Sequence, residues 1–411
     1  MPPASFILLI RLLRVFVLSS LTSLTPGTHS RSTTPGSFSR STTMPAKPIP
    51  NELGIATLSL GHCSKHSLEP RIRAAAAAGF DVIDLFDEDW ATYLAENGLD
   101  SSDPWEATEE KLLVARQLRA FVSSLGMRIA CTQPLRDIEG NLKPAERDAA
   151  MNRVAARFPF MRAFDTDLVF MCSSMRPDDG VNSTANFQTV VRDLTQLSDM
   201  AQEYAENDGL GTLRIGYEPL SWARRNTWAS AWEVVRAVDR DNVGIILDSF
   251  NILAVEFADP YSQLGEGRML YSSREQALRI LQDSMASMAA TVRPEKLFFV
   301  QVADAERMQP GFNPPSDPTT PKLLPWSRSY RLFPEEQRRG GYMPVEMVLR
   351  AILQTGYAGP LSLEVFTHSL HVEGERVPGE LASRGINGLR SLIKKIADGP
   401  RVRGDGPRAN M

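Results

Sequence analysis

From Asn51 onward the chain alternates short apolar or β-branched runs with longer segments of helical period, eight times over. That rhythm constrains the fold more than any other feature. Strands separated by helix-length crossovers commit a chain to a parallel sheet covered by helices. The strand candidates are 54–60, 82–86, 128–132, 167–172, 214–218, 243–247, 297–302 and 361–366. Several are nearly continuous hydrophobics, as strands buried on both faces require. The helix candidates are 69–78, 106–125, 145–163, 187–206, 227–238, 274–288, 345–355 and 379–397, and Gly79, Gly126, Gly209 and Gly356 stand where left-handed helix ends are favoured.

Eight strands, each followed by a helix, are the count of an α/β (β/α)8 TIM barrel, here expected over residues 50–397 with long loops at its C-terminal face. A doubly wound open sheet is the alternative. No Gly-x-Gly-x-x-Gly follows any strand, and no Walker-type loop is present. The segments after strands are long and rich in Pro, Trp, Arg and Asp, whereas those after helices are short. The longest, 303–341, carries Pro310, Pro314, Pro315, Pro318, Pro321 and Pro325 and reads as an irregular cover rather than a helix.

Residues 1–49 differ from the rest. An apolar run over 5–24, interrupted by Arg11 and Arg14, leads into a Ser/Thr/Pro/Arg-rich stretch without an acidic residue. It reads as a mitochondrial-type leader, a poorly formed secretory signal, or residues upstream of a true start at Met44. The two arginines argue against a membrane span. Residues 398–411 read as a flexible tail. The expected location is the cytoplasm, or the mitochondrion if the leader is genuine.

With 45 basic and 49 acidic residues the formal charge is −4, which offers no basic face for a nucleic acid. The expected partner is a small-molecule substrate, and the sequence leaves homo-oligomerisation open. Cys63, Cys131 and Cys172 are an odd three, two of them within apolar runs, so a reducing compartment without structural disulfides is expected.

Four strand candidates end in an oxygen-bearing side chain: Ile215-Gly216-Tyr217-Glu218, Ile245-Ile246-Leu247-Asp248, Phe298-Phe299-Val300-Gln301 and Leu361-Ser362-Leu363-Glu364. A strand core excludes carboxylates unless they are paired or bind a cation. Each acid alone could pair with an arginine or cap the next helix. Recurrence on strands five through eight favours one shared divalent ion, which relieves the mutual repulsion of three carboxylates. Three carboxylates and an amide form a hard oxygen site suited to Mg2+ or Mn2+, with Co2+ as a substitute, rather than to Zn2+.

The strand order Glu, Asp, Gln or His, Glu resembles the xylose-isomerase-like barrel superfamily. More narrowly, the chain resembles fungal 3-dehydroshikimate dehydratases of quinate catabolism. The matching pieces are Ala56-Thr57-Leu58-Ser59-Leu60-Gly61, Asp84-Leu85-Phe86 through Glu88-Asp89, Gln133-Pro134-Leu135-Arg136-Asp137-Ile138-Glu139-Gly140, Asp248-Ser249-Phe250-Asn251, Gln301-Val302-Ala303-Asp304-Ala305-Glu306 and Arg331-Leu332-Phe333-Pro334. The likeness spans about residues 53–395. It implies conversion of 3-dehydroshikimate to protocatechuate with a divalent metal held by Glu218, Asp248, Gln301 and Glu364. Bacterial relatives and several sugar epimerases of the superfamily carry a histidine three residues after the strand-six aspartate. Asn251 stands there in this chain, which puts the general base in question.

For such chemistry Glu218 or Glu364 is expected to move protons as well as bind metal, and His62 or His368 is the imidazole candidate. The substrate carboxylate calls for a guanidinium fork, for which Arg136, Arg225, Arg328 and Arg331 on post-strand segments are candidates, Arg136 first. Gln133 and Asn251 are the expected neutral substrate contacts. Isomerisation or epimerisation of a ketose or hydroxy-keto acid is the rival reading on the same frame, and an inactive barrel acting as a binding protein is a third.

Overall fold

The computed structural model describes residues 49–399 apart from 177–182, 184, 185, 263–270, 272 and 314, so the leader (but for Ile49) and nearly all of the tail lie outside the described residues. Eight parallel strands close into a barrel: β1 (Leu53–Ala56), β2 (Val82–Phe86), β3 (Arg128–Leu135), β4 (Leu168–Cys172), β5 (Arg214–Glu218), β6 (Val243–Asp248), β7 (Leu297–Val302) and β8 (Leu361–Leu363). Each strand pairs with its neighbours in chain order, and β8 pairs with β1 to complete the ring. The fold is the α/β barrel that eight βα units imply.

Strand side chains alternate between two faces. A small apolar cluster that includes Val82, Leu168, Phe170, Ile246 and Phe299 fills the barrel, separate from the larger cluster between strands and helices. Packing there is tight enough to dictate a glycine: a Cβ on Gly216 would collide with the side chain of Ile246. Two positions further along the same faces stand Asp84, Cys172, Glu218, Asp248 and Gln301. The barrel is therefore apolar below and acidic at its C-terminal end.

Several boundaries differ from the sequence reading, each for a local reason. β1 stops at Ala56, and Thr57–Leu60 forms a 3-10 turn whose side chains serve neighbouring strands, Thr57 Oγ1 accepting from Phe86 N and Ser59 Oγ from Val365 N. The region 145–163 holds two helices, Pro144–Ala155 and Phe158–Phe164. Pro159 explains the break, because its ring lacks an N–H and clashes with the carbonyl four residues back. A helix over Asp87–Glu96, missing from the periodicity reading, begins with three acidic residues that favour a helix N-terminus. Another, Ser249–Glu256, starts directly after β6 with Asp248 as its cap.

The 303–341 cover is not wholly irregular. It contains an antiparallel ribbon, Asp304–Ala305 against Arg331–Leu332, and a short helix, Leu323–Ser329. Pro325 sits in that helix's first turn, where a missing N–H costs nothing. The four expected helix-end glycines all have positive φ. All three cysteines are free thiols, and among the described residues no helix is long and apolar enough to cross a membrane.

Candidate metal centre

β5, β6 and β8 carry Glu218, Asp248 and Glu364 to one end of the barrel, where two nitrogen donors string the three acids into a row. Asn251 Nδ2 donates to Glu218 Oε1 at 3.0 Å and to Asp248 Oδ2 at 2.9 Å. Arg331 Nη1 donates to the same Asp248 oxygen at 2.9 Å and to Glu364 Oε2 at 3.0 Å. Asp248 Oδ1 accepts from Phe250 N at 2.8 Å, so this aspartate both caps a helix and pairs with an arginine. Cys172 Sγ donates to Glu218 Oε2 at 3.3 Å.

Burial dominates the electrostatics. It pushes the Glu218 carboxyl up to about 8, with Glu364 and Asp248 adding repulsion. Asp248 is likewise raised by burial, to about 6, against the pull of the Arg331 guanidinium. Arg331 itself is 1% exposed and lies over the Phe250 ring at 4.1 Å. The cluster thus contains one permanent positive charge of the chain's own.

Gln301 pairs in register with Asp248 on one side and Ser362 on the other. Both polar atoms of its side chain are buried without a well-formed hydrogen bond. An amide left so costs roughly 1–3 kcal/mol for each unsatisfied group, and a cation held by its oxygen would relieve part of that. Among the described residues no trio of His, Cys, Asp and Glu stands at full ligand spacing, and the Arg331 guanidinium lies between two of the acids. By donor chemistry alone, hard oxygens and an amide without a well-formed hydrogen bond, Glu218, Asp248, Gln301 and Glu364 are the residues that could hold a divalent ion.

A cavity of about 470 Å³ opens at the same end of the barrel, lined by Arg136, Arg328, His62, His371, Phe86 and Phe366 among others. Arg136 reaches Glu88 only at 3.7 Å. Arg328 stacks on Phe366 at 4.2 Å, and burial together with Arg136 weakens its hold on its proton. His62 stacks on His371 at 4.3 Å, and its pKa is lowered by burial and by that neighbour.

The expected site residues separate into groups. Arg136 and His62 face the cavity. Asn251 and Arg331 are buried against the acids, and Gln133 Nε2 donates to Asp84 Oδ2 at 2.7 Å inside the barrel. Arg225 is placed elsewhere, over the Phe187 ring at 5.3 Å. His368 packs edge-on against Tyr330. Sequence reasoning assigned no role to Asp84, Cys172 or His371. A lone aspartate inside the run Val82-Ile83-Asp84-Leu85-Phe86 was the available signal for the first.

The Xylose isomerase-like TIM barrel family matches residues 72–392. The chain belongs to this family. Among its relatives is a 3-dehydroshikimate dehydratase of Neurospora crassa, 32% identical over 88% of this chain and 98% of that protein. A 3-dehydroshikimate dehydratase of Pseudomonas aeruginosa is 31% identical over 82% of this chain but only 41% of its own length. A solved xylose isomerase-like TIM barrel/4-hydroxyphenylpyruvate dioxygenase fusion protein aligns with TM-score 0.59 and 30% identity, covering 83% of this chain and 42% of that one. This chain therefore spans about two fifths of the two longer relatives, and nearly all of the Neurospora protein.

Proposed function

We propose that this xylose isomerase-like barrel is a hydro-lyase that converts 3-dehydroshikimate to protocatechuate and water, using one divalent ion held by Glu218, Asp248, Gln301 and Glu364. The observation that carries the reading is the row of buried acids beside the Gln301 amide, which has no well-formed hydrogen bond, at the end of the barrel where an arginine-lined cavity opens, although none of the four residues lines that cavity. Its likeness to a dehydratase along almost the whole length of the Neurospora protein supports the choice of reaction. Mg2+ or Mn2+ is the ion the donor set favours, with Co2+ a substitute. When bound, the ion supplies Lewis acidity to the substrate ketone.

The chain's own groups do the rest. Arg136 and Arg328 receive the substrate carboxylate at the cavity wall, and Phe86 and Phe366, packed edge-on against each other, give that wall its apolar part. Asn251 and Arg331 hold the acids in a fixed row. Loss of water requires a base for the C–H proton and an acid for the departing hydroxyl. Glu218 or Glu364 carries that proton, since the amide of Asn251 cannot take one. His62, stacked on His371, is the imidazole candidate at the cavity wall. Three free thiols suit a reducing compartment, the cytoplasm first.

The test is incubation with 3-dehydroshikimate and Mg2+, Mn2+ or Co2+, following protocatechuate absorbance. Product should form, stop on chelation and return with added metal. Glu364→Gln should lose both metal and turnover. No product with any of the three ions overturns the dehydratase reading, and an isomerised keto acid in its place transfers the site to the isomerase class.

A further inference from the structure

One buried acid at the site's base has no part in the chemistry above. Asp84 is fully buried in the barrel, on the same face of β2 as Val82 and two residues beyond it. Its two oxygens are held from opposite sides: Ser362 Oγ donates to Oδ1, and Gln133 Nε2 donates to Oδ2 at 2.7 Å. The packing is arranged to permit this. β1 lies between β2 and β8, and a Cβ on Gly54 would come within 2.8 Å of Ser362 Oγ and of Val82 Cγ2. Glycine at that position therefore opens the path by which Ser362 reaches across to Asp84.

Ser362 is both the donor to Asp84 Oδ1 and the register partner of Gln301, so the buried Gln301 amide, its Nε2 without a well-formed hydrogen bond, is the next group along from that carboxyl. An amide has two ends of unequal chemistry. Only its oxygen can hold a cation, and only its NH2 can donate to a carboxylate. Glu218, Asp248 and Glu364 present an oxygen whichever way they turn, whereas Gln301 must be oriented.

We propose that Asp84 is a positioning residue: once the ion is bound it accepts from the Gln301 Nε2–H, which has no well-formed partner in this structure, and so keeps Oε1 turned toward the ion. The inference rests on the metal site proposed above. Groups that orient a metal ligand from outside are worth about 10–100-fold in metal affinity or activity, and Asp84 would orient the one ligand here that can face the wrong way.

The experiment is a double-mutant cycle read as the dissociation constant of Mn2+, without substrate, for the wild type, Asp84→Asn, Gln301→Glu and the double variant. Asp84→Asn should weaken Mn2+ binding about 10–100-fold while the thermal unfolding transition stays cooperative. In the Gln301→Glu background the same change should cost nothing or tighten binding, because the substituted carboxylate presents oxygen at both ends and repels Asp84. Equal weakening in both backgrounds, or none in either, overturns the proposal. If Asp84→Asn does not fold, Ser362→Ala is read in the same two backgrounds. A wild type that binds no Mn2+ removes the metal reading itself, an outcome distinct from a wild type that binds Mn2+ and ignores Asp84.

Discussion

Asn251 Nδ2 lies 3.0 Å from Glu218 Oε1 and 2.9 Å from Asp248 Oδ2, so a single amide hydrogen-bonds two acids from neighbouring strands. Its Oδ1 accepts from Ser221 N at 3.1 Å, which fixes the orientation of the amide. Replacing this donor with a third carboxylate, Asn251→Asp, faces acceptor against acceptor in a buried row. The metal-free variant should lose about 1–3 kcal/mol in urea unfolding. Unchanged stability would show that the row does not depend on this bridge.

Arg331 plays the corresponding part between Asp248 and Glu364. Arg331→Met leaves two buried carboxylates without their cation, a change expected to cost about 3–5 kcal/mol. Because a divalent ion draws on the same oxygens, saturating Mn2+ should restore part of the loss. Equal destabilisation with and without Mn2+ would argue against a metal at these acids.

Among the described residues the ionic partner of Arg136 is the distant Glu88, and Arg136 lines the cavity. Removing it with Arg136→Met should raise KM for a carboxylate substrate about 10–100-fold, the worth of one charged hydrogen bond of ~1.5–3 kcal/mol. The effect on kcat should be smaller. A KM equal to that of the wild type would free this arginine from the substrate.

Glu139 offers a pH signature away from the acids of the site. Burial pushes its carboxyl up to about 7, although Ser174 N and Tyr217 Oη donate to it. A raised carboxyl pKa means that the folded state holds its proton after the unfolded chain has released it. Stability from this group is present below about pH 4.5 and is lost as pH rises toward 7. Glu139→Gln, which does not titrate, should therefore gain on the wild type across that window, by an amount on the order of 3 kcal/mol. Parallel stability curves for the two proteins would show that Glu139 ionises in the folded state as freely as in the unfolded one.

The barrel was legible because its evidence is local. β2, β5 and β7 match their expected bounds residue for residue, since a strand covered on both faces must be apolar along its length. The acids Glu218, Asp248 and Glu364 stood out for the same reason, as charges ending runs that otherwise exclude them. Helix breaks were read less well, because Pro159 or the acids at 87–89 act through one turn of backbone rather than through a period.

What no local pattern contains is who meets whom. Arg331 reads as one more loop arginine, yet it lies 83 residues from Asp248 in the chain and bonds it directly. Asn251 reads as a replaced base, and it is the donor that joins two acids. Asp84 reads as an anomaly in a strand until Ser362, 278 residues away, is brought against it past Gly54. Composition and periodicity decide which residues a strand buries. Closure of the ring decides which buried groups share a hydrogen bond, because that depends on distances set only when β8 pairs with β1.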